Sequence, residues 1–181
     1  MTEDKARAAL PRWPIRIHDV PPNGRHVRRD RLDPADGAAL AAAIGVEAIG
    51  SFLLDVDVKP YHGDGLAVTG TVKASVVQTC VVTLEPVTNL IEEEVEATFR
   101  PADKLKAHLV HDEEDGLAID ASVAADDPLI GGEVDLAGVA AEFLALAVDP
   151  YPRRPDAVFE APDTGAEVSP FAGLVKLRRD D

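Results

Sequence analysis

Apolar or small residues recur at even positions along one stretch, Leu66 to Pro86: Leu66, Val68, Gly70, Val72, Ala74, Val76, then Cys80, Val82 and Leu84. Thr69, Thr71, Lys73, Ser75, Thr79 and Thr83 occupy the odd ones. A period of two over this length predicts one long β-strand with a buried and a wet face. Val77, Gln78 and Val81 interrupt the pattern, which predicts a bulge or change of strand near residue 77. Pro86 ends the run, because proline has no N–H to give a ladder.

The same period appears in shorter pieces. Trp13, Ile15 and Ile17 alternate with Pro14, Arg16 and His18, an edge strand. Phe52, Leu54, Val56 and Val58 alternate with Leu53, Asp55, Asp57 and Lys59, a second strand that turns at Pro60–Gly65. From Leu90 to Phe99, Ile91, Val95, Ala97 and Phe99 face one way and Glu92, Glu94 and Glu96 the other. Glu93 interrupts the apolar side. Strand fits this segment better than its rival, helix.

Helical spacing appears twice. Asp33-Pro34 is a helix start, with Asp as N-cap and Pro at the first position, and the helix runs to Gly45. Asp135 caps a second helix over DLAGVAAEFLALAVD. Leu136, Val139, Phe143 and Leu146, with Ala140 and Ala147, form its apolar stripe. Val20-Pro-Pro-Asn-Gly24 is a turn. Residues 1–12 read as frayed and 103–132 as a mobile acidic loop, with a short strand at Leu117–Ile119. Residues 156–181 read as loop plus a short amphipathic helix at Pro170–Leu177. The expected fold is one α+β domain: an antiparallel sheet, open or barrel-like, two main helices on one face and a short C-terminal helix.

Charge sharpens the picture. The 181-residue chain carries a net −15. Its basic residues are segregated: residues 1–31 hold eight Lys and Arg against four acids, whereas 92–135 hold fourteen acids against three bases. A globally acidic protein repels nucleic acid and anionic membrane unless its cations are clustered. Arg25, Arg28, Arg29 and Arg31 follow the Pro-Pro-Asn-Gly turn and are candidates for phosphate contact, or for a solvated turn paired with the acidic loop. Arg153 and Arg154 are a second candidate pair, or a charge complement to a helix end.

The chain has one cysteine, Cys80, so no internal disulfide forms. Its apolar setting predicts a small buried residue rather than a catalytic thiolate. His108 and His111 are half a metal-site spacing and read as a solvated loop. No catalytic or phosphate-loop motif is present, and no apolar stretch is long enough to span a membrane. These features predict a cytoplasmic protein, not an enzyme, with no cofactor and no metal. An enzyme or ligand carrier built on a barrel cavity is the rival class.

The Gly70-x-Val72-x-Ala74 frame, Cys80, and Leu84-Glu85-Pro86 resemble the YceD-like family, the large ribosomal RNA subunit accumulation proteins. Asp135-Leu136, Glu142 and Asp149-Pro150-Tyr151-Pro152-Arg153-Arg154-Pro155 extend the resemblance, as does the terminal Ser169–Leu177 segment. Many members carry C-x-x-C before the Leu-Glu-Pro turn. Here the second position is Thr83, so the zinc site that such pairs suggest is not carried over. The chain looks like the alphaproteobacterial form, which lacks the paired cysteines. The resemblance implies a non-enzymatic factor in large-subunit biogenesis that supports 23S rRNA accumulation. Its partner would be ribosomal RNA or a large-subunit precursor particle. In the alternative form, the acidic segments hold a basic ribosomal protein as an acidic chaperone would.

Overall fold

A computed structural model describes residues 10–105, 109–112, 116–119 and 126–159, with backbone alone for the two four-residue pieces. Its centre is an antiparallel meander of three long strands: β3 (Ala48–Tyr61), β4 (Gly65–Thr79) and β5 (Pro86–Pro101). β2 (Arg25–Arg29) pairs antiparallel to β3, and β8 (Asp127–Leu129) pairs parallel to the end of β5. The sheet order is β2-β3-β4-β5-β8. It stays open among the described residues, and no barrel closes. β1 (Pro14–Arg16) instead pairs with β9 (Glu133–Asp135) as a separate ribbon.

The even positions of β3 and β4 and the odd positions of β5 build the core face. Leu54, Val56, Val58, Leu66, Val68, Val72, Val76 and Val95 are all essentially inaccessible. Helices α1 (Pro34–Ile44) and α2 (Leu136–Ala147) cover this face and touch each other. Leu40 and Ile44 from α1, and Leu136, Val139, Ala140 and Leu144 from α2, complete one core with Trp13 and Ile15. Burial of this aliphatic surface, at about 25 cal/mol per Å², drives the assembly.

The alternation in β4 runs further than expected in one respect and less far in another. Gln78 is buried on the even face and does not break it. Its Nε2 donates to the Asp149 carbonyl at 2.8 Å, and its Oε1 accepts from Asn89 Nδ2 at 2.9 Å. A buried amide is tolerated when its polar atoms are paired. The register shift lies on the partner strand, between Ile49 and Ser51, opposite Val76 and Ser75. However, the strand ends at Thr79. Cys80 to Glu85 form a turn, closed by Leu84 N–H to the Cys80 carbonyl (2.9 Å) and Cys80 N–H to the Glu85 carbonyl (2.8 Å). Pro86 opens β5 rather than closing β4.

Gly70 answers to a close approach between β3 and β4. A Cβ there would collide with the Asp55 carbonyl and stand 2.7 Å from Val56 Cα.

Other expectations shift. The arginine-rich segment is an edge strand, not a turn. The stripe of α2 is rotated: Leu144 is buried, while Leu146 is 81% exposed. Asp33 precedes α1, but its side chain makes no cap bond; its carbonyl takes the Gly37 N–H instead. The 103–132 segment contains an antiparallel hairpin, β6 (Leu109–Asp112) with β7 (Gly116–Ile119), and supplies β8. Arg12 is not frayed: it bridges to Glu133 and Asp135. The Pro170–Leu177 helix, residues 1–9 and His108 lie outside the described residues. No helix of the described residues is long and apolar enough to cross a membrane.

Candidate functional site

Three surfaces bear on function. The first is the edge strand β2. Its pairing with β3 puts Arg28 opposite Asp55 and His26 opposite Asp57 on the uncovered face. Arg28 Nη1 lies 2.5 Å from Asp55 Oδ2. The His26 ring lies between the two carboxylates, with Nδ1 3.0 Å from Asp57 and Nε2 3.3 Å from Asp55. Arg29 points the other way and lies over the Trp13 ring at 4.4 Å, a cation–π contact. Two of the four candidate arginines are thus engaged within the fold. Arg25 and Arg31 are exposed and have no carboxylate partner among the described residues.

The second surface joins two segments far apart in sequence. The Cys80–Glu85 turn meets the strap that follows α2, Asp149 to Asp156. Val81 N–H donates to the Pro152 carbonyl at 2.9 Å, and Arg154 N–H donates to Cys80 Sγ at 3.4 Å. Arg154 Nη1 reaches Glu85 Oε2 at 2.6 Å, and the same guanidinium holds Asp156 at 3.1 Å. Arg154 is therefore a clasp, and Arg153 is left exposed without a carboxylate partner among the described residues.

The Cys80 sulfur is fully buried in this junction. The Thr83 hydroxyl first, then the N–H groups of Arg154, Thr83 and Val82, favour the thiolate and lower its pKa to about 6, while burial opposes them. The sequence indicated a small buried residue, but not the ring of donors. Turn geometry and the distant strap supply those. Among the described residues no three of His, Cys, Asp and Glu gather as a metal would require.

The remaining family-motif residues divide by role. Asp135 Oδ1 caps α2 through Ala137 N–H at 3.1 Å and also takes the Trp13 N–H at 2.8 Å. Leu136 is core. Glu142 is exposed on α2. Pro150 lines a groove of about 1110 Å³ between the alanine face of α1 and the junction, with Val81, Gln78 and Pro152. Leu84 is the least expected: it adopts a left-handed backbone, φ 59°, with its side chain 76% exposed. Leucine in that region is strained. Sequence alternation alone had placed it inside.

The third surface is the sheet face that the helices leave uncovered. Register aligns Asp55, Thr71 and Glu94 in one row, Asp57, Thr69 and Glu96 in the next, and Leu53, Lys73 and Glu92 in a third. Lys73 Nζ meets Glu92 at 2.6 Å. Glu94 and Glu96 are exposed and have no cationic partner among the described residues.

A family model, described as large ribosomal RNA subunit accumulation protein YceD, matches residues 68–178, more than half of the chain. The match runs from β4 through the Cys80 turn, β5 and α2 to the strap, so it includes both halves of the junction. This chain belongs to the YceD family. No curated protein and no solved structure matches it.

Proposed function

We propose that the chain acts without catalysis in biogenesis of the large ribosomal subunit, and supports 23S rRNA accumulation by holding a basic protein component of the precursor particle. The family assignment supports the ribosomal role. One observation carries the choice of partner. Arg28 and Arg29 are spent on Asp55 and Trp13, while Glu94 and Glu96 have no cationic partner among the described residues on the sheet face that the helices leave uncovered. Charge complementarity on such a face selects cationic partners and speeds their capture.

A second reading has its own support. Arg25, Arg31 and Arg153 are exposed and without carboxylate partners among the described residues, and could meet rRNA phosphates. One comparison separates the two. The full chain is recovered from lysate with and without nuclease treatment as the parent, as Glu92→Gln/Glu94→Gln/Glu96→Gln, and as Arg25→Gln/Arg31→Gln/Arg153→Gln. We expect a basic ribosomal protein to be retained by the parent and the arginine variant and lost from the glutamate variant. Association that depends on RNA and is lost only from the arginine variant overturns this reading in favour of direct RNA contact.

A further inference from the structure

The edge of β5 away from β4 adds a second feature to the acidic face. β5 is sixteen residues long, and β4 pairs with it from Pro86 to Phe99. On its other side, β8 pairs only with Phe99, Arg100 and Pro101. Among the described residues no other backbone group bonds to Pro86–Thr98. Alternate N–H and C=O groups of this stretch therefore point outward from the sheet, a ready template for another strand. The stretch is also exposed at every even position, Pro86 to Glu96.

We propose that the β5 edge binds an extended basic segment of a partner protein by strand addition, with Lys or Arg at every second position. This rests on the functional reading above and names its mode of recognition. A strand added beside β5 would lie about 4.8 Å away, with its alternate side chains directly opposite Glu92, Glu94 and Glu96. Those positions favour cations. The intervening positions fall on the helix-covered side, opposite Ile91, Glu93 and Val95, where apolar or small residues fit. The glutamates also exclude the commonest wrong partner. A second copy of β5 laid antiparallel would set Glu opposite Glu, and like charges directly opposed destabilise a pair. Registers centred on Glu94 are disfavoured for a second copy and favoured for a basic strand. Backbone bonds supply affinity and the alternating charges supply register, as in other cases of strand addition.

The test uses the full-length protein and a synthetic peptide, Ac-Lys-Val-Lys-Thr-Lys-Val-Lys-amide. Its two controls are the same peptide N-methylated at alternate residues along one edge, and then along the other. Binding is followed by titration, and its location by amide hydrogen exchange. We expect the parent peptide to bind and to slow exchange at alternate amides within Pro86–Thr98. One of the two N-methylated peptides should bind at least about tenfold more weakly, because its bonding edge is blocked. The Glu92→Gln/Glu94→Gln/Glu96→Gln variant should lose both binding and protection. If both N-methylated peptides bind as well as the parent, strand addition is wrong, while charge-based capture of a basic protein survives. If no basic peptide binds, or an RNA oligonucleotide protects β5 instead, both readings fall.

Discussion

The backbone N–H of Arg154 donates to the sulfur of Cys80 across 74 positions of sequence, at 3.4 Å. That bond ties the β4–β5 turn to the strap after α2. It makes Cys80 part of a joint rather than merely a core filler.

The joint is pH-sensitive. In the unfolded chain the Cys80 thiol titrates near 8.5, and in the fold at about 6, chiefly through the Thr83 hydroxyl. The folded pKa is the lower, so the unfolded chain binds more protons between the two values and stability rises with pH there. The contribution is complete above about pH 8.5 and is lost as pH falls through about 6. Denaturant melts of the parent and Cys80→Ser across this window should diverge as pH rises. A thiolate absorbance with its midpoint at 8.5 or above in the folded protein would refute it.

Gln78 links the same joint to β5. Gln78→Leu keeps the side chain near its volume but strips the Asp149 carbonyl and the Asn89 amide of their partner. The expected loss is about 0.5–1.5 kcal/mol, the net contribution of a hydrogen bond between part-buried groups. Equilibrium urea unfolding reads it directly, and an unchanged midpoint would mean that water replaces the amide.

Asp135 serves two elements with one carboxylate oxygen, capping α2 and receiving the Trp13 N–H. Asp135→Ala should cost about 1–2 kcal/mol, at the upper end for a helix cap because β1 is released as well. Thermal melts test the size. Exchange at the Trp13 amide tests the cause, and it should rise in the variant.

Leu84 holds a strained backbone and an exposed apolar side chain. Asparagine adopts the left-handed region more readily. Leu84→Asn should therefore leave stability unchanged or raise it by about 0.5 kcal/mol. If the strain is retained to display the leucine, the same variant should retain less partner from lysate. A destabilised Leu84→Asn would show that the side chain is packed after all.

Much of the framework was legible in the sequence because it rests on local periodicity. Alternation marked β3, most of β4 and β5. Helical spacing with the Asp135 cap marked α2, and Pro34 with Gly45 marked α1. The Gly70, Cys80 and Leu-Glu-Pro motifs pointed to the family. Local pattern failed where a distant group changes the meaning of a residue. Gln78 reads as a break until Asp149 and Asn89 arrive to pair its amide. Leu84 reads as core until the chain turns over Cys80–Glu85, directly after Thr79. Arg25–Arg31 reads as a cationic turn until β3 brings Asp55 and Asp57 alongside and Trp13 takes Arg29. Period and capping act within a few residues, so one sequence carries them. Charge neutralisation, thiol tuning and the pairing of a strand edge depend on which strands become neighbours. Only the tertiary structure decided that.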